Sequence, residues 1–109
     1  MSIISDVTDA TFAEEVLAHD GVVLVEFWAA WAGPCRQLQP VVEELARELS
    51  GSVKVVKVDT EESPEVAHRY RISSIPTLLV VRRGEVVATL LGSRSKAAIR
   101  ETLAGIAAA

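Results

Sequence analysis

A single cysteine in 109 residues forbids any disulfide within the chain. Aromatic residues make up only 5 %, so a core must be built mainly from aliphatic side chains. The only histidines, His19 and His68, are isolated from each other, and with one cysteine they form no zinc pattern; no metal or cofactor is expected. No apolar run approaches the roughly 18 residues that a membrane-spanning helix needs. The first residues, Met1-Ser2-Ile3-Ile4-Ser5-Asp6, lack the basic and long apolar regions of a signal peptide, which points to a cytoplasmic protein. Basic residues are outnumbered 11 to 15, and the net charge of −4 argues against nucleic acid as a partner. Repeats, linkers and low-complexity segments are also missing, so residues 1–109 read as one domain. What remains is an ordinary globular composition, 50 % apolar and 24 % charged, long enough to bury a core without staples.

The pattern along the chain alternates strand and helix signals. Residues 2–6 read as a short edge strand. Thr11 and Glu14 have capping-box spacing, predicting a short helix to about Ala18 that buries Phe12, Val16 and Leu17. After Asp20-Gly21, the run Val22 to Trp28 is rich in β-branched residues and nearly all apolar, as in a central strand covered on both faces. Glu26 interrupts it. Either it reaches solvent near the strand end, or it is a buried carboxylate that must be paired or protonated. Pro34 suits a first helical turn, and Leu38, Val41, Val42, Leu45, Ala46 and Leu49 then recur at helical spacing, with a kink expected at Pro40. Ser50-Gly51 stops this helix.

Val53 to Val58 alternates apolar residues with Lys54 and Lys57 and reads as a strand. Ser63-Pro64 looks like an N-cap with proline at the first helical position, opening a helix to about Tyr70. Thr77–Val81 and Val86–Leu91 are strands joined by the tight turn Arg82-Arg83-Gly84, hence antiparallel. Ser95 caps a last helix that buries Ile99, Leu103 and Ile106, with a fraying alanine tail. The strand–helix–strand units imply parallel pairing with right-handed crossovers. Glu61-Glu62 and Arg82-Arg83 read as solvated surface. Tyr70 reads as core and Trp28 as packing beneath a turn, while Trp31 fits contact or packing equally.

The cysteine lies in Trp28-Ala29-Ala30-Trp31-Ala32-Gly33-Pro34-Cys35, between the central strand and the long helix. Trp31-Ala32-Gly33-Pro34-Cys35 resembles the thioredoxin active site, which usually reads Trp-Cys-Gly-Pro-Cys. Further segments agree in order and spacing: Asp20–Ala29, Val58-Asp59, Tyr70-Arg71-Ile72, Ser74-Ile75-Pro76-Thr77-Leu78, Gly84-Glu85-Val86 and Leu91-Gly92. The similarity runs from about Asp6 to Ile106. It implies the α/β thioredoxin fold, a mixed five-stranded sheet flanked by four helices, and the activity of a protein thiol–disulfide oxidoreductase.

In that family the first cysteine, whose position Ala32 occupies, attacks the substrate disulfide, and the second, here Cys35, resolves the mixed disulfide. By the same resemblance Glu26 stands where a carboxylate, usually Asp, assists proton transfer, and Lys57 stands beside it. Trp31, Gly33, Pro34, Ile75, Pro76 and Gly92 match the surface that binds substrate peptides, and the Ile75–Pro76 bond is expected to be cis. Disulfide-containing proteins and a thioredoxin reductase are the implied partners of a monomer. With alanine at position 32, two-electron cycling is lost. The chain then reads as a thioredoxin deprived of its nucleophile, as a naturally degenerate protein-binding module, or as a monothiol protein using Cys35 alone, for example towards glutathione.

Overall fold

The run Val22–Trp28 forms β2, the central strand of a five-stranded sheet. This computed structural model describes residues 3–108, with side chains described for residues 3–106. The other strands are β1 (Ser5–Asp6), β3 (Val53–Asp59), β4 (Thr77–Arg82) and β5 (Glu85–Leu91), and the sheet order is β1-β3-β2-β4-β5. β2 runs parallel to β3 from Val22↔Val53 to Trp28↔Asp59, and antiparallel to β4 from Val22↔Arg82 to Phe27↔Thr77.

The parallel expectation therefore fails for β4. The chain leaves β3, crosses the sheet and returns on the far side of β2 in the opposite direction. The alternation of strand and helix does not distinguish a parallel neighbour from an antiparallel strand placed beyond it. The proposed edge strand at residues 2–6 is confined to Ser5–Asp6, and Ser2 lies outside the described residues.

Alternate residues of β2 feed two cores. Leu24 packs with Leu38, Val42, Leu45 and Ala46 of α1 (Gly33–Glu48), and with Ile99 and Leu103 of α3 (Lys96–Ala108). Val23, Val25 and Phe27 pack on the other side with Phe12 and Val16 beside the short π-helix Ala13–Leu17, and with Val66 of α2 (Pro64–Arg69). Each large side chain buried in this way contributes roughly 1.5–3 kcal/mol. Glu48 links the two helices of the first layer, accepting from Lys96 Nζ at 2.7 Å and Arg100 at 2.9 Å. These bonds hold its carboxyl below the usual range. Pro40 sits within α1 without ending it. The β4–β5 turn places Arg83 (φ 51°) and Gly84 (φ 82°) in the left-handed region, as a two-residue hairpin requires.

Two further local expectations are corrected. Thr11 does not cap the first helical segment. The turn begins at Thr8, whose carbonyl accepts from Phe12 N–H at 2.9 Å and whose N–H donates to Thr11 Oγ1 at 3.0 Å. Ser63 stands at the N-cap of α2, but its hydroxyl makes no capping bond. Asp9 caps that helix instead, accepting from Val66 N–H at 2.9 Å and Glu65 N–H at 3.3 Å. The alanine tail continues α3 to Ala108, and Ala109 lies outside the described residues. Ser95 does cap α3, with its Oγ accepting from Ala98 N–H at 3.1 Å.

Candidate active site

The exit of β2 and the start of α1 form one continuous turn. Ala32 N–H donates to Ala29 C=O at 3.1 Å, and Ala32 is the N-cap of α1, extended at φ −91° and ψ 110°. Its methyl offers no acceptor, so α1 starts without a side-chain cap. Its carbonyl accepts from Cys35 N–H at 3.1 Å. Cys35 thus lies in the first turn of α1, where the helix dipole favours a negative sulfur. The thiol is only 5 % exposed, however, and burial pushes it above the usual thiol range. A hydrogen bond from the Ala29 backbone opposes that rise, and the charge of Glu26 adds to it.

Glu26 is fully buried, so the solvent-reaching alternative fails. It shares the α1-facing side of β2 with Leu24, and neither carboxylate oxygen has a hydrogen-bond partner. Burial raises it from 4.5 to about 7; Lys57 pulls it down, and Glu43 pushes it up. Lys57 is the register partner of Glu26 across β3. Its ammonium nevertheless lies 3.9 Å from Asp6 Oδ1 and 5.3 Å from the centroid of the Trp28 ring. It acts on Glu26 through space rather than as a bonded counter-ion.

A groove of about 590 Å³ opens beside this cluster, lined by Trp28, Cys35, Gln39, Glu43 and Lys57 among others. Gln39 escaped the reading of the sequence, and Glu43, which with Glu44, Arg47 and Glu48 reads as the solvated face of the helix, is half-buried in the groove lining. Their spacing of four and eight residues from Cys35 places all three on one helix face, a signal that was there to be read.

The remaining candidates lie around the helix tip. Trp31 is 69 % exposed, so it is not a packed side chain, and Gly33 and Pro34 are also exposed. Trp28 is half-buried, and β2 is anchored at that point by Thr60 N–H donating to its carbonyl at 3.0 Å. The Ile75–Pro76 peptide bond is cis. Gly92 N–H donates to Pro76 C=O at 2.9 Å, and Ser93 Oγ donates to Pro34 C=O at 3.3 Å. These two bonds bring the Ile75–Pro76 segment, the turn after β5 and the tip of α1 together. Among the described residues, no group of three or more His, Cys, Asp or Glu could hold a metal ion, and no helix is long and apolar enough to cross a membrane.

A buried, protonated thiol reacts slowly. Iodoacetamide is expected to label native Cys35 at least ~100-fold more slowly than the urea-unfolded chain at pH 7.5. Fast native labelling would instead favour the monothiol reading.

A mixed sheet of this order, with a thiol at the start of the helix following its central strand, is the arrangement of the thioredoxin fold. The thioredoxin family profile matches residues 3–105. The chain is 50 % identical over 103 residues to "Thioredoxin 1" of Nostoc sp. and 52 % identical over 103 residues to "Thioredoxin 1" of Synechococcus elongatus, in each case covering 94 % of this chain and 96 % of the relative. It is 48 % identical over 94 residues to the thioredoxin of Bacillus subtilis, covering 86 % of this chain and 88 % of that one. The chain belongs to the thioredoxin family, with a single cysteine where the family's active site has two.

Proposed function

We propose that this chain is a thioredoxin-type protein-docking domain in which dithiol turnover has been abolished at position 32. The observation that carries the reading is the tip of α1, where Ala32 occupies the N-cap and Cys35 is the only sulfur nucleophile. Reducing a protein disulfide takes two electrons from two thiols. Cys35 alone can attack one sulfur and release one substrate thiolate, but the mixed disulfide then has no second thiol to expel it. Glu26, whose charge acts on the Cys35 thiol, assists its proton transfer in this reading, and Lys57 tempers the burial of its charge. Neither supplies the missing electron pair.

Trp31, Gly33, Pro34, Ile75, Pro76 and Gly92 form the surface on which an extended segment of a disulfide-containing protein docks. A thioredoxin reductase recognises the same face, and the protein acts as a cytoplasmic monomer. The test uses the chain as it stands. With dithiothreitol as reductant, it is expected to reduce insulin disulfides no faster than dithiothreitol alone, while a molar excess of the chain slows reduction by an active thioredoxin through competition for substrate. Catalysed turnover would overturn the loss of activity, and no competition would overturn the docking role.

A further inference from the structure

The first helical segment holds α2 at both ends, and α2 leads directly into the docking segment. Asp9 projects from the turn that Thr8 and Thr11 close, and its two oxygens take the N–H groups of Val66 and Glu65 across 57 and 56 positions of sequence. Among the described residues no other side chain is seen to cap α2, and the buried hydroxyl of Ser63 has no partner. At the other end of α2 the Phe12 ring lies 5.6 Å, centroid to centroid, from Tyr70, the C-cap residue.

The helix then closes with Ile72 N–H donating to Ala67 C=O at 2.9 Å and Arg71 in the left-handed region at φ 54°. A non-glycine residue keeps that conformation only where its surroundings enforce it. Only residues 71–75 separate Tyr70 from Pro76. A helix of six residues has no stability of its own and depends on such clamps.

We propose that Asp9 is a positioning residue for substrate docking: by clamping the start of α2, it keeps the Ile75–Pro76 segment ordered before a peptide arrives. The inference rests on the docking role proposed for that segment. Without the carboxylate, the segment's ordering is deferred to the moment of binding, where its entropy weakens affinity and leaves the chemical step untouched.

Two measurements test this. In the chain as it stands, Asp9→Ala is expected to speed amide hydrogen exchange across Val66–Thr77 by at least ~10-fold, leaving β2 and α1 unchanged. In an Ala32→Cys background, the same substitution is expected to raise KM for insulin about threefold or more with kcat within about twofold, and Asp9→Asn, which keeps one acceptor, is expected to fall between. Faster exchange confined to Glu65 and Val66, a uniform rise throughout the chain, or an unchanged KM each overturns the inference. Should Asp9→Ala fail to fold, Asp9→Asn carries both readings. An Ala32→Cys parent without turnover counts against the proposed function, while the exchange measurement still decides the role of Asp9.

Discussion

Ala32→Cys is expected to turn the chain into a protein-disulfide reductase, with dithiothreitol-driven turnover at least ~100-fold above the unsubstituted chain. The argument is geometric. Position 32 is the N-cap of α1, extended and three residues before Cys35. Ala32 is itself only 5 % exposed, and a sulfur there stands at the N-terminus of a 16-residue helix, whose dipole lowers its pKa and favours the attacking thiolate. Cys35 lies in the same first turn, with its N–H held by the carbonyl of residue 32. The buried carboxylate of Glu26 lies on the α1-facing side of β2. Insulin reduction by dithiothreitol, with and without the variant, measures the gain. Recovery would show that only the nucleophile is missing. No recovery in a folded variant would show a binding module whose site has drifted beyond that single residue.

Glu26→Gln is expected to stabilise the protein by about 3 kcal/mol at pH 8 and by less than about 1 kcal/mol at pH 5. A carboxyl raised from 4.5 to about 7 keeps its proton in the folded chain after the unfolded chain has released its own. Between those values the native state binds more protons, so stability falls as pH rises, and the loss is complete above about pH 7–8. At 1.36 kcal/mol per pKa unit the full loss is about 3 kcal/mol. Both oxygens are buried and unpartnered, and Lys57 gives only partial relief, so little solvent screening reduces that figure. At pH 5 the native carboxyl is neutral, and an amide of the same shape replaces it at similar cost. Urea unfolding at both pH values measures the difference. An equal effect at pH 5 and pH 8 would mean that packing, not charge, separates the two side chains.

The two predictions concern one design. A carboxylate that destabilises the fold at neutral pH still lies beneath a thiol that has lost its redox partner. The cost of Glu26 persists in a chain with a single thiol.

The sequence alone settled much of what depends on near neighbours, although the caps read at Thr11 and Ser63 failed. The β-branched run of β2, the four-residue recurrence on α1, the Arg83-Gly84 turn and the Ser95 cap each follow from contacts within a few positions, and Ala32 in place of a sulfur is legible at once. Tertiary structure alone decided that Glu26 is sealed without a partner, that Lys57 leans towards Asp6 and Trp28, that Asp9 rather than Ser63 caps α2, and that β4 returns antiparallel to β2. The physical reason is range. Backbone sterics and amphipathic spacing act over a turn or two of chain, whereas desolvation, charge coupling and a cap supplied from 57 residues away exist only once distant segments share a dry interior.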